Sequence, residues 1–305
     1  MEHTLRQILG INDLRKDDIE LILQTAESMK EISQRDIKKV PTLRGKTIVN
    51  LFYEPSTRTR TSFELAGKRL NADVINISAA SSSIVKGESL IDTGKTLQAL
   101  NPDIIVIRHQ KSGAPHLLAK NVTASVVNAG DGIHEHPTQA LLDLFSIREK
   151  LERLEGLKVC IVGDISHSRV ARSDILCFKK MGMDVSVAGP ATLIPTDIEK
   201  MGVRVFYDLE KAIENIDVIV CLRIQNERMG SGFFPSVKEY SEFYGINSGR
   251  LKKANKRLVV MHPGPINRGI EISPEVADGP FSIILDQVTN GLAVRMAILY
   301  ILAGK

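Results

Sequence analysis

A dense run of hydroxyl and guanidinium side chains forms the motif Ser56-Thr57-Arg58-Thr59-Arg60, which follows a short apolar run and opens a helix-like stretch. Backbone N–H groups at a helix N-terminus, the positive end of the helix dipole and these side-chain donors all favour an anion such as phosphate. N-capping by Ser56 beside surface arginines is the simpler alternative. It explains one hydroxyl but not the whole run. The motif therefore predicts a phosphate-binding site.

A second polar segment, residues 132–139, contains His134, His136 and Gln139 and follows an apolar run that ends near Asn128. A His and a Gln three residues apart at a helix start could donate to a carbonyl oxygen and bind an NH2 group. Capping and loop packing are the alternative. His134 and His136 lie two residues apart, and no third ligand with the spacing of a zinc site follows them. We therefore predict no metal site.

Further polar residues stand where apolar runs end, at Arg108, Arg169, Arg223, Gln225 and the motif His262-Pro263-Gly264-Pro265. In a parallel sheet, such positions deliver side chains to the ligand-binding edge. The turn 163–169 lacks the glycine spacing of a dinucleotide site, so no nicotinamide cofactor is expected and Arg169 remains available for a carboxylate. Loops from both halves of the chain are therefore expected to meet at one cleft, whose closure would assemble the site.

Short apolar runs alternate with helix-like segments along the whole chain, which is typical of parallel sheets covered by helices. Predicted strands in the first half cover residues 47–52, 72–77, 103–107 and 125–127. Those in the second half cover residues 159–162, 184–188, 203–206, 218–222 and 258–261. Predicted helices include one with apolar residues at helical spacing from Ile19 to Met29, another at 138–152 and a last one at 291–302. The glycine-rich stretch 223–252 has weak periodicity and is predicted to be a mobile loop.

The predicted fold class is α/β, with two domains that each contain a parallel β-sheet flanked by helices. A chain of 305 residues exceeds the usual size of one compact core. The first domain is expected to cover residues 1–149 and the second 150–287. The final helix, within 288–305, is too apolar to be exposed and is predicted to pack back on the first domain.

Composition and charge exclude several classes of protein. The formal charge of +4 is small, and basic residues are mixed with acidic ones, so no nucleic-acid partner is expected. No apolar run approaches the ~20 residues of a membrane span. The three cysteines are odd in number and widely spaced, which argues against a disulfide framework. A cytoplasmic protein without membrane association is the resulting expectation.

The two polar motifs and the later loops together resemble the aspartate carbamoyltransferase family over essentially the full chain. Ser56-Thr57-Arg58-Thr59-Arg60 resembles the carbamoyl-phosphate signature that this family shares with the ornithine carbamoyltransferases, and His136-Pro137-Thr138-Gln139 resembles the second signature. The ornithine branch is expected to carry a His-Cys-Leu-Pro element, whereas this chain has His262-Pro263-Gly264-Pro265, which is similar to the aspartate branch. Some relatives have Leu where Gly264 stands, a tolerable change because the expected role uses a backbone carbonyl.

The resemblance implies a carbamoyltransferase that joins carbamoyl phosphate and L-aspartate in pyrimidine biosynthesis without a cofactor. It makes the first domain the carbamoyl-phosphate-binding one and the second the aspartate-binding one. The implied catalytic residues are Arg58, Thr59, Arg108 and His136. Those implied to bind carbamoyl phosphate also include Ser56, Thr57, Gln139, Pro263, Gly264 and Pro265. Those implied to bind aspartate are Lys86, Arg169, Arg223 and Gln225.

The resemblance also implies a homotrimer with shared active sites, in which Ser82 and Lys86 come from the neighbouring subunit. Without the resemblance, Lys86 would be read as a solvated loop cation. A regulatory subunit is left open as a partner. Two alternative functions remain: transfer to ornithine, whose cationic side chain would face Arg223 and Lys86, and a non-catalytic phosphate-binding or nucleotide-binding module, which would leave Arg169 and Arg223 without a role.

Overall fold

The computed structural model describes residues 5–78, 87–224 and 236–304. The chain divides into two units, Met1–Leu142 with Thr289–Lys305, and Asp143–Val288. The division falls inside a continuous helix, Pro137–Leu151, whereas the sequence analysis placed the domain boundary at 149/150, near the end of that helix. The position differs because no linker separates the units there, and one helix contributes residues to both.

The first unit contains four parallel strands and the helices that connect them. The strands are β1 (Thr47–Phe52), β2 (Asp73–Ser78), β3 (Ile104–His109) and β4 (Ser125–Asp131). The helices are α1 (Lys16–Gln34), α2 (Thr57–Arg69), α3 (Leu90–Ala99), α4 (Ala114–Ala119) and the start of α5 (Pro137–Leu151), with a 3₁₀ turn at Pro41–Leu43. The strand order is β2-β1-β3-β4, and every pairing is parallel.

Continuous apolar stretches explain why the central strands of this sheet are buried. Strands β1 and β3 are buried along nearly their whole length, as expected for strands covered by helices on both faces. Strand β2 lies at one edge of the sheet and is more exposed than β1 and β3. Helix α1 buries the apolar face predicted from its periodicity, including Ile19, Ile22 and Met29.

The second unit contains a five-stranded parallel sheet of order β7-β6-β5-β8-β9. The strands are β5 (Lys158–Val162), β6 (Asp184–Ala188), β7 (Arg204–Phe206), β8 (Val218–Cys221) and β9 (Val259–Met261). The helices are α6 (Arg169–Lys180), α7 (Leu209–Ala212), α8 (Val237–Tyr244), α9 (Ser248–Leu251) and α10 (Pro274–Ala277), with 3₁₀ turns at Ala191–Leu193 and Ile198–Met201. The predicted α/β fold class is confirmed for both units.

The C-terminal helix, α11 (Ile284–Ala303), begins earlier than the predicted 291. Its residues from Thr289 onward belong to the first unit, as predicted for the final helix. The buried Arg295 joins it to α2: Nη1 donates to Ser62 Oγ at 3.0 Å, and the guanidinium lies 5.3 Å from the Phe63 ring centroid. This packing combines a hydrogen bond with a cation–π contact in an otherwise apolar environment.

The prediction of one mobile loop over residues 223–252 is wrong for its described part. Helices α8 and α9 occupy much of it, each with a capped N-terminus: Ser236 Oγ accepts from Glu239 N at 3.1 Å, and Asn247 Oδ1 accepts from Arg250 N at 3.1 Å. Both helices are short and polar, and Tyr240 is their main buried anchor, so hydrophobic periodicity gave little signal. Residues 225–235 lie outside the described part.

Two further expectations concern disulfide bonds and membrane-spanning helices. Cys160, Cys177 and Cys221 are buried, and none of them forms a disulfide. Burial raises the pKa of the Cys160 thiol to about 12, so this sulfur stays protonated at neutral pH and is a poor nucleophile. No helix in the described ranges is both long and apolar enough to span a bilayer.

Replacing Phe63 with Ala is expected to destabilise the first unit by about 3–5 kcal/mol, because the buried ring contacts the core and Arg295. Urea unfolding followed by circular dichroism would measure the loss. Leu65→Ala is the matched control on the same helix; its side chain is 39% exposed, so a cost of about 1 kcal/mol or less is expected. Equal losses for both variants would contradict the packing described.

Candidate active site

Strand order places the polar segments of the first unit on one edge of its sheet. The chain leaves β1 toward β2 on one side, while β3 and β4 lie on the other, so the direction of winding reverses between β1 and β3. Open parallel sheets bind ligands beyond the carboxyl ends of the strands at such a reversal. Ser56, Arg108 and His136 follow or end β1, β3 and β4 respectively, and these three strands are neighbours.

The N-terminus of α2 presents backbone donors that its own cap residue leaves available. Ser56 has extended backbone angles, and its side chain makes no capping hydrogen bond within the described part of the chain. In contrast, Ser89 Oγ caps α3 and Ser168 Oγ caps α6. Thr59 is buried, whereas Arg58 is exposed at the helix start. This arrangement can offer backbone N–H groups, hydroxyls and a guanidinium to an anion.

Arg108 is a partly buried cation beside this helix start. Its side chain is 13% exposed, Nη2 donates to Glu54 Oε1 at 2.7 Å, and Nη1 lies 3.4 Å from the Ala129 carbonyl oxygen. Its own carbonyl oxygen accepts from Tyr53 N at 2.9 Å, which ties the end of β3 to the chain leaving β1. Glu54 offsets the cost of burying the guanidinium, and an anionic ligand would compete with that carboxylate.

His109, the neighbour of Arg108, does not add to the positive charge. Burial lowers the pKa of its imidazole, and the charge of Lys111 lowers it further. His109 Nδ1 accepts from Lys111 N at 2.9 Å, and its ring lies 4.5 Å from the Tyr53 ring, measured between centroids. A histidine with a lowered pKa is neutral at pH 7, so His109 adds no formal charge beside Arg108.

The segment that carries His136 and Gln139 is held by a carboxylate that the sequence analysis did not single out. Glu135 is buried, and its Oε2 accepts from Ile11 N at 2.9 Å. A Cβ atom at Gly10 would come within 2.6 Å of Glu135 Oε1, so glycine provides the space for this carboxylate. His136 and Gln139 are buried at the start of α5, and Gln139 N donates to the His136 carbonyl oxygen at 2.9 Å.

The second unit brings its predicted residues to the corresponding edge of its own sheet. The winding reverses between β5 and β8, and β9 lies next to β8. Arg169 is buried at the first position of α6, after β5, and the half-buried Arg223 follows β8. The loop before Arg169 is fixed by the buried Asp164, whose Oδ1 lies 2.9 Å from His167 Nδ1. Two guanidiniums therefore lie near one reversal point, suited to carboxylates.

The loop after β9 is fixed through the buried His262. Its Nδ1 accepts from Gly264 N at 2.8 Å, so Nε2 carries the proton and donates to Glu271 Oε1 at 3.1 Å. Glu271 Oε1 also accepts from Asn267 N at 2.8 Å. Gly264 has φ +66°, a conformation that favours glycine, and the peptide bond to Pro265 is cis. The carbonyls of residues 263 and 264 are thus presented by a rigid loop.

A second support of this loop comes from α11. Gln287 Oε1 accepts from His262 N at 3.0 Å, and Gln287 Nε2 donates to Asp143 Oδ1 at 2.6 Å. Burial raises the pKa of the Asp174 carboxyl well above its ordinary value, and the charge of Asp143 raises it further. Among the predicted site residues, Ser82, Lys86 and Gln225 lie outside the described ranges.

Two models of one protein family match this chain. Residues 6–149 match the aspartate/ornithine carbamoyltransferase carbamoyl-P binding domain, and residues 155–302 match the Asp/Orn binding domain of the same family. The aspartate carbamoyltransferase catalytic subunit of Syntrophus aciditrophicus is 62% identical over 304 residues, which cover 100% of this chain and 99% of the relative.

Two solved structures illustrate the likeness in fold. Aspartate transcarbamoylase from Trypanosoma cruzi, in complex with carbamoyl phosphate and aspartate, has a TM-score of 0.87 and 29% identity and covers 97% of this chain and 96% of its own. Ornithine carbamoyltransferase from Pyrococcus furiosus has a TM-score of 0.87 and 31% identity, with coverage of 99% and 98%. The same fold therefore occurs in enzymes named for different acceptors.

Inorganic phosphate is expected to slow amide hydrogen exchange at residues 57–59, because these donors stand at the start of α2 beside Arg108. Exchange measured by mass spectrometry or NMR, with and without phosphate, would test this. The first turn of α3, which Ser89 caps, is the internal control and should not change. Equal protection of both helix starts would indicate non-specific ion binding and contradict the assignment.

Proposed function

The chain belongs to the aspartate/ornithine carbamoyltransferase family, and from this premise we propose that it transfers the carbamoyl group of carbamoyl phosphate to the amino group of L-aspartate. The products are N-carbamoyl-L-aspartate and phosphate, at the start of the pyrimidine ring pathway to UMP. The proposal depends on the N-terminus of α2, which offers hydrogen-bond donors, and on Arg108. The chain is also 62% identical over its full length to a relative named aspartate carbamoyltransferase catalytic subunit.

In this proposal, the first unit binds carbamoyl phosphate. Backbone and side-chain donors hold the phosphate at Ser56, Thr57, Arg58 and Thr59. Arg108 binds the phosphate in place of its ion-pair partner Glu54. Thr59, Arg108 and His136 donate to the carbamoyl oxygen. Gln139 and the carbonyls of Pro263 and Gly264 hold the carbamoyl NH2, with Pro265 closing the loop. The burial of Thr59, His136 and Gln139 supports this, because buried donors lose less strength to water.

The reaction requires no covalent intermediate on the protein. The neutral amine of aspartate attacks the carbamoyl carbon, a C–N bond forms, and the carbonyl oxygen gains negative charge. The C–O bond to phosphate then breaks, and the departing phosphate accepts the amine proton. Donors fixed in place for the oxyanion contribute about 2.7–4 kcal/mol each in comparable sites. Positioning of both substrates and positive potential are therefore the main contributions of this chain.

The second unit supplies the cations for the acceptor. Arg169 binds the α-carboxylate of aspartate, while Arg223, Gln225 and Lys86 bind its β-carboxylate. Arg169 is buried, and a guanidinium can pair bidentately with a carboxylate, which supports this role. Ornithine carries an ammonium where aspartate carries the β-carboxylate, and Arg223 would repel it.

The proposal includes a cytoplasmic homotrimer. Ser82 and Lys86 of one subunit complete the site of its neighbour, so an isolated chain lacks part of the aspartate-binding set. The free, buried thiols of the three cysteines support a reducing compartment. Like the site residues, the trimer is inferred from the resemblance to the family.

Arg58→Ala is expected to lower kcat/KM for carbamoyl phosphate about 10²–10³-fold, because it removes a charged donor from the site of departing phosphate. Release of phosphate, measured with L-aspartate, L-ornithine or no acceptor, would test both the variant and the substrate. Of these three conditions, only the one with L-aspartate should give turnover. Arg60→Ala is the matched control: this exposed arginine lies two positions along the same helix, and a change within about fivefold is expected. Turnover with ornithine, or an Arg58→Ala enzyme whose kcat/KM equals that of the wild-type chain, would overturn the proposal.

Subunit mixing is expected to restore activity if active sites are shared. Arg58→Ala and Lys86→Gln chains, each nearly inactive alone, should form mixed trimers in which some sites combine an intact Arg58 with an intact Lys86 from a neighbour. Activity measured after the two variants are dissociated and reassembled together would show this recovery. Each variant reassembled with itself is the control. No recovery in mixed trimers would place Lys86 in its own subunit's site or outside any site.

A further inference from the structure

A cluster of three metal-ligand side chains lies in the first unit outside the residues assigned to carbamoyl transfer. His116, Asp131 and His134 each offer one ligand atom, and these atoms all lie within 4.8 Å of one another. The residues come from α4, the end of β4 and the turn that follows it. His136, which the sequence analysis paired with His134, is not a member of this cluster. The other two ligands, His116 and Asp131, precede His134 in the sequence, so a search for a ligand after His136 does not find them.

Asp131 is a rigid, buried member of the cluster. Its Oδ2 accepts from Gly113 N at 2.6 Å. Its Oδ1 accepts from Asn128 Nδ2 at 2.9 Å and from Glu135 N at 3.2 Å. The Asp131 carboxylate supplies the oxygen that a metal ion would bind. The supporting donors also fix its orientation, as second-shell groups do in known metal sites.

The two histidines are open to solvent and close to each other. Their side chains are 37% exposed for His116 and 35% for His134, and their ring centroids lie 5.7 Å apart. His134 Nδ1 lies 3.1 Å from Asp131 Oδ2. One buried carboxylate beside two partly exposed imidazoles gives both a fixed point and a path for an ion to enter.

A second carboxylate borders the cluster. Asp13 Oδ2 lies 3.6 Å from His116 Nε2, and the Asp13 side chain is 56% exposed, so it is free to reorient. Two imidazoles with one or two carboxylates form a ligand set typical of zinc and of neighbouring divalent transition metals. Calcium and magnesium prefer sets made of oxygen alone.

We propose that His116, Asp131 and His134 bind a divalent transition-metal ion of the zinc class, with Asp13 or water as the fourth ligand. The ion would tie α4 to the turn after β4, two residues before His136. It takes no part in the proposed carbamoyl transfer, which needs no metal ion.

Asp164 and His167 provide a matched comparison within the same chain. They form the same Asp-x-x-His pair, with His167 Nδ1 at 2.9 Å from Asp164 Oδ1. Among the described residues, no second histidine or cysteine joins them in a ligand cluster. If an Asp–His pair alone retained zinc, both places would bind it; the proposal requires the second imidazole.

Isothermal titration calorimetry of the full chain with ZnCl2, after chelator treatment and dialysis, tests the proposal. The wild-type chain should bind about one Zn²⁺, and His116→Gln and His134→Gln should each weaken binding at least about tenfold. His167→Gln should leave the affinity unchanged. Absence of saturable binding, or wild-type affinity in both His116→Gln and His134→Gln, would overturn the proposal.

A spectroscopic measurement separates specific coordination from loose association with surface histidines. Co²⁺ added to the wild-type chain should give intense visible absorption bands of a low-coordinate nitrogen–oxygen site, and added Zn²⁺ should remove them. His116→Gln should lose these bands while its circular dichroism stays that of the wild-type chain. Only the weak spectrum of hydrated Co²⁺ in the wild-type chain would contradict the site.

Discussion

The constraint on which the structure depends is that positive charge must be kept, partly out of water, at the carboxyl ends of parallel strands. Arg108 and Arg169 are buried or nearly so, and an uncompensated buried guanidinium would be costly. Glu54 compensates Arg108 at 2.7 Å in the described structure. Because that carboxylate is displaceable, the charge is stabilised without a ligand and remains available to one. A phosphate that carries more charge than a carboxylate is a stronger partner for the same guanidinium.

Carboxylates also support the loops that carry the uncharged donors. Glu135, Asp131 and Glu271 each accept a backbone N–H from a neighbouring segment, and each is buried. Such hydrogen bonds hold a loop more firmly than apolar packing, because breaking one leaves a buried charge without its donor. In the first unit such bonds hold the segment that carries His136, and in the second unit they hold the loop that carries the carbonyls at 263 and 264.

Features with a local signal could be predicted from the sequence, and those that depend on distant contacts could not. Apolar runs located the strands, and the Ser56 to Arg60 motif located the helix start, because both reflect neighbouring residues. The role of Glu135 depends on Ile11, far away in the chain, and that of Gln287 on Asp143. No periodicity encodes such pairs. Short polar helices such as α8 were also not predicted, because a capping serine and one buried tyrosine give little hydrophobic periodicity.

In the proposed function, acceptor choice comes from charge at the second unit, because the fold resembles that of an enzyme named for ornithine. The two acceptors have the same α-amino and α-carboxylate groups, so Arg169 treats them alike. They differ only in the side chain, an anion in one and a cation in the other. In this proposal Arg223, two residues after the end of β8, attracts the β-carboxylate of aspartate and repels the ammonium of ornithine. One guanidinium at this position can therefore discriminate between two substrates that the fold itself does not distinguish.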